Sequence, residues 1–231
     1  MIENAQRNPE KAVKNGAPSG LRERNKRSKR DRILTAAREL FSTKGFAATT
    51  TREIAERAGV GAGTLFSYAR DKRELIYLVL RDELDQVEET AFETVPREAP
   101  LVEQLMHVFG RYFDAYERDR SLALDLMRER YHMFLDAGSA GEEMTGMTLS
   151  FLEKLAALVD AARRRDRLRS DFPALTAATS FFALYLLVVD SWVGSPWQLP
   201  RASFEGLLRD GLLLQVEGLR DRSPARPRRS R

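Results

Sequence analysis

The sequence predicts an all-α protein, on three observations. Apolar residues between Arg30 and Leu219 recur at three- and four-residue spacing, the period of one helix face. Helix-starting and helix-stopping residues stand at the ends of several of these segments. No stretch alternates apolar and polar residues between turn signals, as a half-buried strand would.

About nine helices follow from the pattern. Ile33, Leu34, Ala37, Leu40 and Phe41 fall at helical spacing, and Gly45 ends that helix. Thr50 and Glu53 make the S/T-x-x-E capping box that opens a second, short helix, which Gly59-Val60-Gly61 breaks. A third runs over Ala62–Tyr68, and Asp71 is suited to cap a fourth carrying Leu75, Ile76, Leu78, Val79 and Leu84. After a loop around Val95–Pro100, Leu101, Leu105, Val108, Phe109, Tyr112, Phe113 and Tyr116 share one arc of a fifth. Further helices are expected near Ser121–Asp136, Gly141–Arg167, Pro173–Val193 and Arg201–Leu219.

Composition narrows the class. The chain has 231 residues, 43% hydrophobic and 31% charged, enough to bury a core and too charged for a membrane protein. The apolar run Phe181–Val189 is short of the roughly 20 residues a spanning helix needs, so a buried helix is expected there and no membrane partner. With no cysteine, disulfides and thiolate metal sites are excluded, and a cytoplasmic location fits. Residues 1–30 hold nine Lys/Arg against three acids, and residues 220–231 six Arg against one Asp. The net charge of +4 therefore leaves the long C-terminal part acidic, a distribution suited to one DNA-facing end. Residues 1–29 read as a flexible basic arm and 220–231 as a disordered basic tail.

The segment Thr49–Lys72 carries the functional signal. Ile54, Val60 and Leu65 would seal two short helices against the first, Ala55 is small where helices approach, and Gly59 sits where the turn needs φ > 0. These features make a helix-turn-helix, whose second helix enters the major groove of double-stranded DNA. The run Thr50-x-x-x-Ile54-Ala55-x-x-Ala58-Gly59-Val60, then Gly63-Thr64-Leu65-Phe66-x-Tyr68-Ala69-x-x-Lys72, resembles the DNA-binding domain of TetR-family regulators over about residues 30–80. Phe66 and Ala69 replace the family's usual Tyr and Phe.

The resemblance implies a DNA-binding domain over 30–76 and a helical ligand-binding and dimerisation domain over 77–219. It assigns DNA contacts to Thr50, Arg52, Ala62, Gly63, Thr64, Ser67, Tyr68 and Lys72, the last clamping a phosphate. Thr50 as a plain cap and Arg52 as a plain partner of Glu56 remain open alternatives. In the C-terminal part it implies a pocket for a largely apolar small molecule, with Phe109, Phe113, Met127, Tyr131, Met147, Phe151 and Tyr185 as candidate walls. Surplus apolar surface on Phe181–Val189, Trp192, Leu207, Leu208, Leu212 and Leu213 suits a homodimer. The function implied is a sequence-specific regulator, most often a repressor, released from a palindromic operator by its ligand.

Enzyme chemistry finds no support. Gly59-Val60-Gly61-Ala62-Gly63 follows a helix and misplaces the third glycine of a phosphate loop, and G-x-S-x-G and H-E-x-x-H are absent. His107 and His132 have no second ligand at i+3 or i+4, so neither a metal nor another cofactor is expected.

Overall fold

The computed structural model describes residues 18–135, 139–195 and 199–220. Nine helices form among the described residues: α1 (Pro18–Lys44), α2 (Thr51–Ala58), α3 (Ala62–Leu65), α4 (Lys72–Glu93), α5 (Leu101–Arg118), α6 (Arg120–Leu135), α7 (Ser139–Ala162), α8 (Ala174–Gly194) and α9 (Arg201–Gly218). The only extended pairing among them is the single bridge Leu168–Arg220.

Local chemistry sets the boundaries. The Thr50 side chain accepts from the Glu53 amide while Glu53 reaches back to the Thr50 amide, a complete capping box at the start of α2. Gly59 ends α2 at φ 62°, where a Cβ would be strained. Asp71 caps α4 by accepting from the Glu74 amide at 2.9 Å. Asp119 does the same for Leu122 at 3.0 Å, so α6 starts almost where α5 ends.

Two expectations change. Helix α1 begins at Pro18, so 18–29 is helix and not arm; Arg, Lys and Glu are good helix formers even without an apolar stripe. Residues 1–17 and the tail beyond Arg220 lie outside the described residues. Regular helix in α3 stops at Leu65, although turn-type bonds from Ser67, Tyr68 and Ala69 amides carry the coil onward. The 76/77 boundary falls inside α4, a continuous rod joining the two parts.

One core lies under the short helices, built from Ile33, Phe41, Ile54, Leu65, Leu75 and Ile76, and it continues into Leu122 and Leu126 of α6. The other fills the space among α5, α7, α8 and α9, with Phe109, Phe113, Phe181, Trp192 and Leu208 fully or almost fully buried. Helix α8 is long and apolar enough to cross a membrane by length and composition. One face of it packs inward through Phe181, Tyr185, Val188, Val189 and Trp192. Gly211 lets α9 approach α8 closely, since a Cβ there would stand 2.7 Å from Leu184 Cδ2.

Candidate nucleic-acid interface and cavity

Helix α2 packs on α1 and α3 packs on α2, as a helix-turn-helix. Ile54 and Leu65 are fully buried beneath them, and Arg32 of α1 donates to the carbonyls of Ala58 and Gly59, tying the turn to the first helix. Solvent sees Thr50, Arg52, Ala62, Gly63, Phe66 and Ser67, while Thr64 and Tyr68 are half-buried. Phe66 is 51% exposed, an apolar side chain with no place in the core.

Several of these side chains already have partners. Arg52 pairs with Glu56 at 2.9 Å, Ser67 Oγ donates to the Thr64 carbonyl at 2.7 Å, and Tyr68 Oη donates to the Lys26 carbonyl at 3.1 Å. Glu53 pairs with Lys44 and accepts from Thr50; these contacts, the Lys44 ammonium first, hold its carboxyl down at about 2.

Lys72 departs from expectation. Its Nζ donates to the carbonyls of Phe46 at 2.7 Å, Thr49 at 2.9 Å and Ala47 at 3.3 Å, and lies 4.3 Å from the centre of the Phe46 ring. Its three donors are spent on the loop between α1 and α2. The side chain latches that loop to the start of α4 and is not a free phosphate clamp.

The C-terminal part holds a partly open cavity of about 160 Å³ among α4, α5, α6, α7 and α8. Leu84, Leu126, Met127, Met144, Met147, Phe151, Phe182 and Leu186 make its walls apolar, and Tyr77, Tyr112, Tyr116, Tyr185, Thr148, Glu88 and Arg130 supply polar atoms. Both charges are paired within the protein. Glu88 Oε1 accepts from Lys154 Nζ at 2.6 Å, and Arg130 Nη2 donates to Asp190 Oδ2 at 2.9 Å. Burial raises the Asp190 carboxyl above its ordinary range, with Arg130 opposing, and pushes the Tyr116 hydroxyl up to about 12. The same burial raises Tyr112 and Tyr185 further, so all three hydroxyls stay protonated at any ordinary pH.

Helix α4 joins the two sites. Lys72 at its start holds the helix-turn-helix loop, and Tyr77, Leu84 and Glu88 further along line the cavity. Helix α6 touches both as well: Asp125 accepts from the Phe46 amide at 2.9 Å and Glu129 pairs with Arg73 at 2.8 Å, while Leu126, Met127 and Arg130 face the cavity.

Residues 33–77 match the family described as bacterial regulatory proteins, tetR family. That stretch carries a TetR-family DNA-binding domain. The repressor KstR2 of Mycolicibacterium smegmatis is 33% identical over 90 residues, a stretch covering 39% of this chain and 44% of that one. The regulator HbdR of an Aromatoleum species is 24% identical over 192 residues, 82% of this chain and 80% of the relative. Among solved structures, Thermus thermophilus FadR, a TetR-family repressor in complex with lauroyl-CoA, superposes with a TM-score of 0.67 at 26% identity, covering 86% of this chain and 98% of that one.

The cavity gathers four of the seven expected wall residues: Met127, Met147, Phe151 and Tyr185. The other three lie elsewhere. Phe109 stacks on Tyr185 with ring centres 4.4 Å apart, and Phe113 packs on Trp192 at 5.0 Å; both belong to the core behind the wall. Tyr131 is 67% exposed, because the inward stripe of α6 runs through Leu122, Leu126 and Met133 and Tyr131 falls on the opposite face. Tyr112, Tyr116 and Arg130 join the wall without having been expected there. Spacing could have flagged them: Arg130 lies three residues from Met127, and Tyr112 and Tyr116 extend the inward stripe of α5.

Proposed function

We propose that this chain is a transcriptional regulator that binds a two-fold DNA operator as a homodimer and leaves it when an apolar effector occupies the cavity. The observation that carries the reading is the sharing of α4 and α6 between the cavity and the helix-turn-helix. Ligand pockets commonly measure about 300–1,000 Å³, and the cavity here is about 160 Å³. A chain-like ligand must therefore displace α4, α6 or α7 to enter, and a shift of α4 or α6 moves the helix-turn-helix with it. The effector acts by preferring the displaced arrangement, as a population shift requires. The lauroyl-CoA complex of T. thermophilus FadR favours a long acyl chain as one such effector.

Two subunits would meet through α8 and α9, where Leu187, Leu207, Leu213 and Leu214 are exposed. Two recognition helices would then address half-sites about 34 Å apart, one turn of DNA. Phe66, Ser67 and the exposed backbone of Gly63 are the groups best placed for base edges, with Arg52 near the phosphates.

The test is selection of bound fragments from random duplex DNA by the purified protein, with Phe66→Ala alongside. Phe66 is half exposed and stands outside the buried cluster under the short helices, so the variant reports on DNA more than on folding. An inverted repeat lost in the variant, and an operator complex released by an apolar ligand or by lauroyl-CoA through its apolar acyl chain, is the expected result. Retention without sequence preference, equal in both proteins and governed by salt alone, would overturn the reading in favour of non-specific DNA coating.

A further inference from the structure

Two features of the cavity constrain the effector's chemistry beyond its being apolar. The first is that both charged side chains on the wall are already neutralised, Glu88 by Lys154 and Arg130 by Asp190. A carboxylate ligand would meet an arginine whose charge is balanced, with the Asp190 carboxylate beside it. An ammonium would meet a Glu88 held in the same way. Neither ionic ligand recovers the hydration it leaves behind.

The second feature is an unused donor. Tyr185 is buried on the cavity wall, and its hydroxyl has no hydrogen-bond partner of normal geometry. The hydroxyl leans toward that of Tyr116, an interaction short of normal hydrogen-bond geometry that leaves the donor free for a better acceptor. The tyrosine ring stacks on Phe109, tilted by 6° from parallel, which sets where the hydroxyl oxygen sits. Buried hydroxyls in proteins are nearly always paired, and the exceptions call for a reason. Asp190 Oδ1, on the far side of the Arg130 pair, is likewise buried and unpaired.

We infer that the part of the effector held in the cavity is neutral, oxygenated and otherwise apolar, with a carbonyl or hydroxyl oxygen that accepts a hydrogen bond from Tyr185, and is not a free carboxylic acid or an amine. This rests on the reading of the cavity as the effector site. A ligand oxygen at Tyr185 satisfies the orphaned hydroxyl, while the hydrocarbon body lies against Met127, Met147 and Phe151. Specificity then comes from a built hydrogen-bond donor in an otherwise greasy space, which penalises a ligand lacking the oxygen more than apolar contact alone could.

The probes are 2-decanone, decanoate and decane, which present similar apolar bodies, titrated into the full-length protein at pH 7.5. Expected is that 2-decanone binds about tenfold more tightly than either of the others, the factor one hydrogen bond supplies. Tyr185→Phe, which keeps the ring and removes the oxygen, should bring 2-decanone and decane within about threefold of each other. Asp190→Asn leaves Arg130 without its counter-charge and should raise decanoate affinity above the wild-type value. Decanoate binding as tightly as the ketone in the wild type, or a ketone preference unchanged in Tyr185→Phe, would overturn the inference while leaving the effector site in place. An Asp190→Asn protein with no gain for decanoate would overturn the charge argument. Binding of none of the three probes would overturn the apolar-effector reading itself.

Discussion

The Tyr68 hydroxyl donates to the Lys26 carbonyl across 3.1 Å, joining the end of the recognition segment to the exposed first turns of α1. Those turns carry Arg24, Lys26, Arg27 and Lys29, all exposed, and Arg24 and Arg27 share an open cleft with Arg32 and Arg57. The hydrogen bond holds a basic helix beside the surface proposed to enter the groove. Replacing Arg24 and Arg27 together by Gln should leave the preferred DNA sequence unchanged and weaken binding. For every phosphate these arginines neutralise, the variant's plot of log affinity against log salt should be shallower by about 0.9. Binding isotherms at several salt concentrations measure it; an unchanged slope would show that this stretch stays clear of DNA.

Lys72 gives a different kind of prediction. Because its ammonium is held by three carbonyls, Lys72→Met should lower stability by about 2–3 kcal/mol, the loss expected when bonds to a charged donor are removed and carbonyls are stranded. Denaturant midpoints would register it without any DNA present. A variant of native stability that simply bound DNA more weakly would restore the phosphate clamp.

Glu53 predicts an acid limit. Its carboxyl is lowered from 4.5 to about 2 by Lys44 and Thr50, so the folded state favours the ionised form. Its contribution is complete above pH 4.5 and is lost as pH falls through about 2. Wild type should therefore lose its stability advantage over Glu53→Gln between those values. The pair is solvent-exposed, so added salt should shrink the difference. Thermal melts of both proteins across that range decide the matter; parallel curves would leave Glu53 without a stabilising part.

The helix α8–α9 face offers a test of assembly. Leu187 is 66% exposed and Leu214 76%, so charge at either position should fold without strain within one subunit. Leu187→Glu with Leu214→Glu should shift the sedimenting species from dimer to monomer at micromolar concentration and abolish binding to a full inverted repeat. Sedimentation unaltered by the pair of charges would place the interface elsewhere.

The legible features were the local ones. The capping box of Thr50 and Glu53, the left-handed Gly59 and the Asp71 cap involve groups three or fewer residues apart, so residue type and spacing contain the whole interaction. The inward stripe of α5 was equally readable, since one helix face needs no knowledge of its partner. Tertiary structure decided what those faces meet. Lys72 finds carbonyls 23 to 26 positions away, Arg130 finds Asp190 60 positions away, and the cavity takes walls from five helices. Helical period says that Phe109, Phe113, Tyr112 and Tyr116 all turn inward. Only the packing of α5 against α8 decides that the phenylalanines support the wall while the tyrosines form it, because burial depends on which surfaces the chain brings together and not on the order of residues along it.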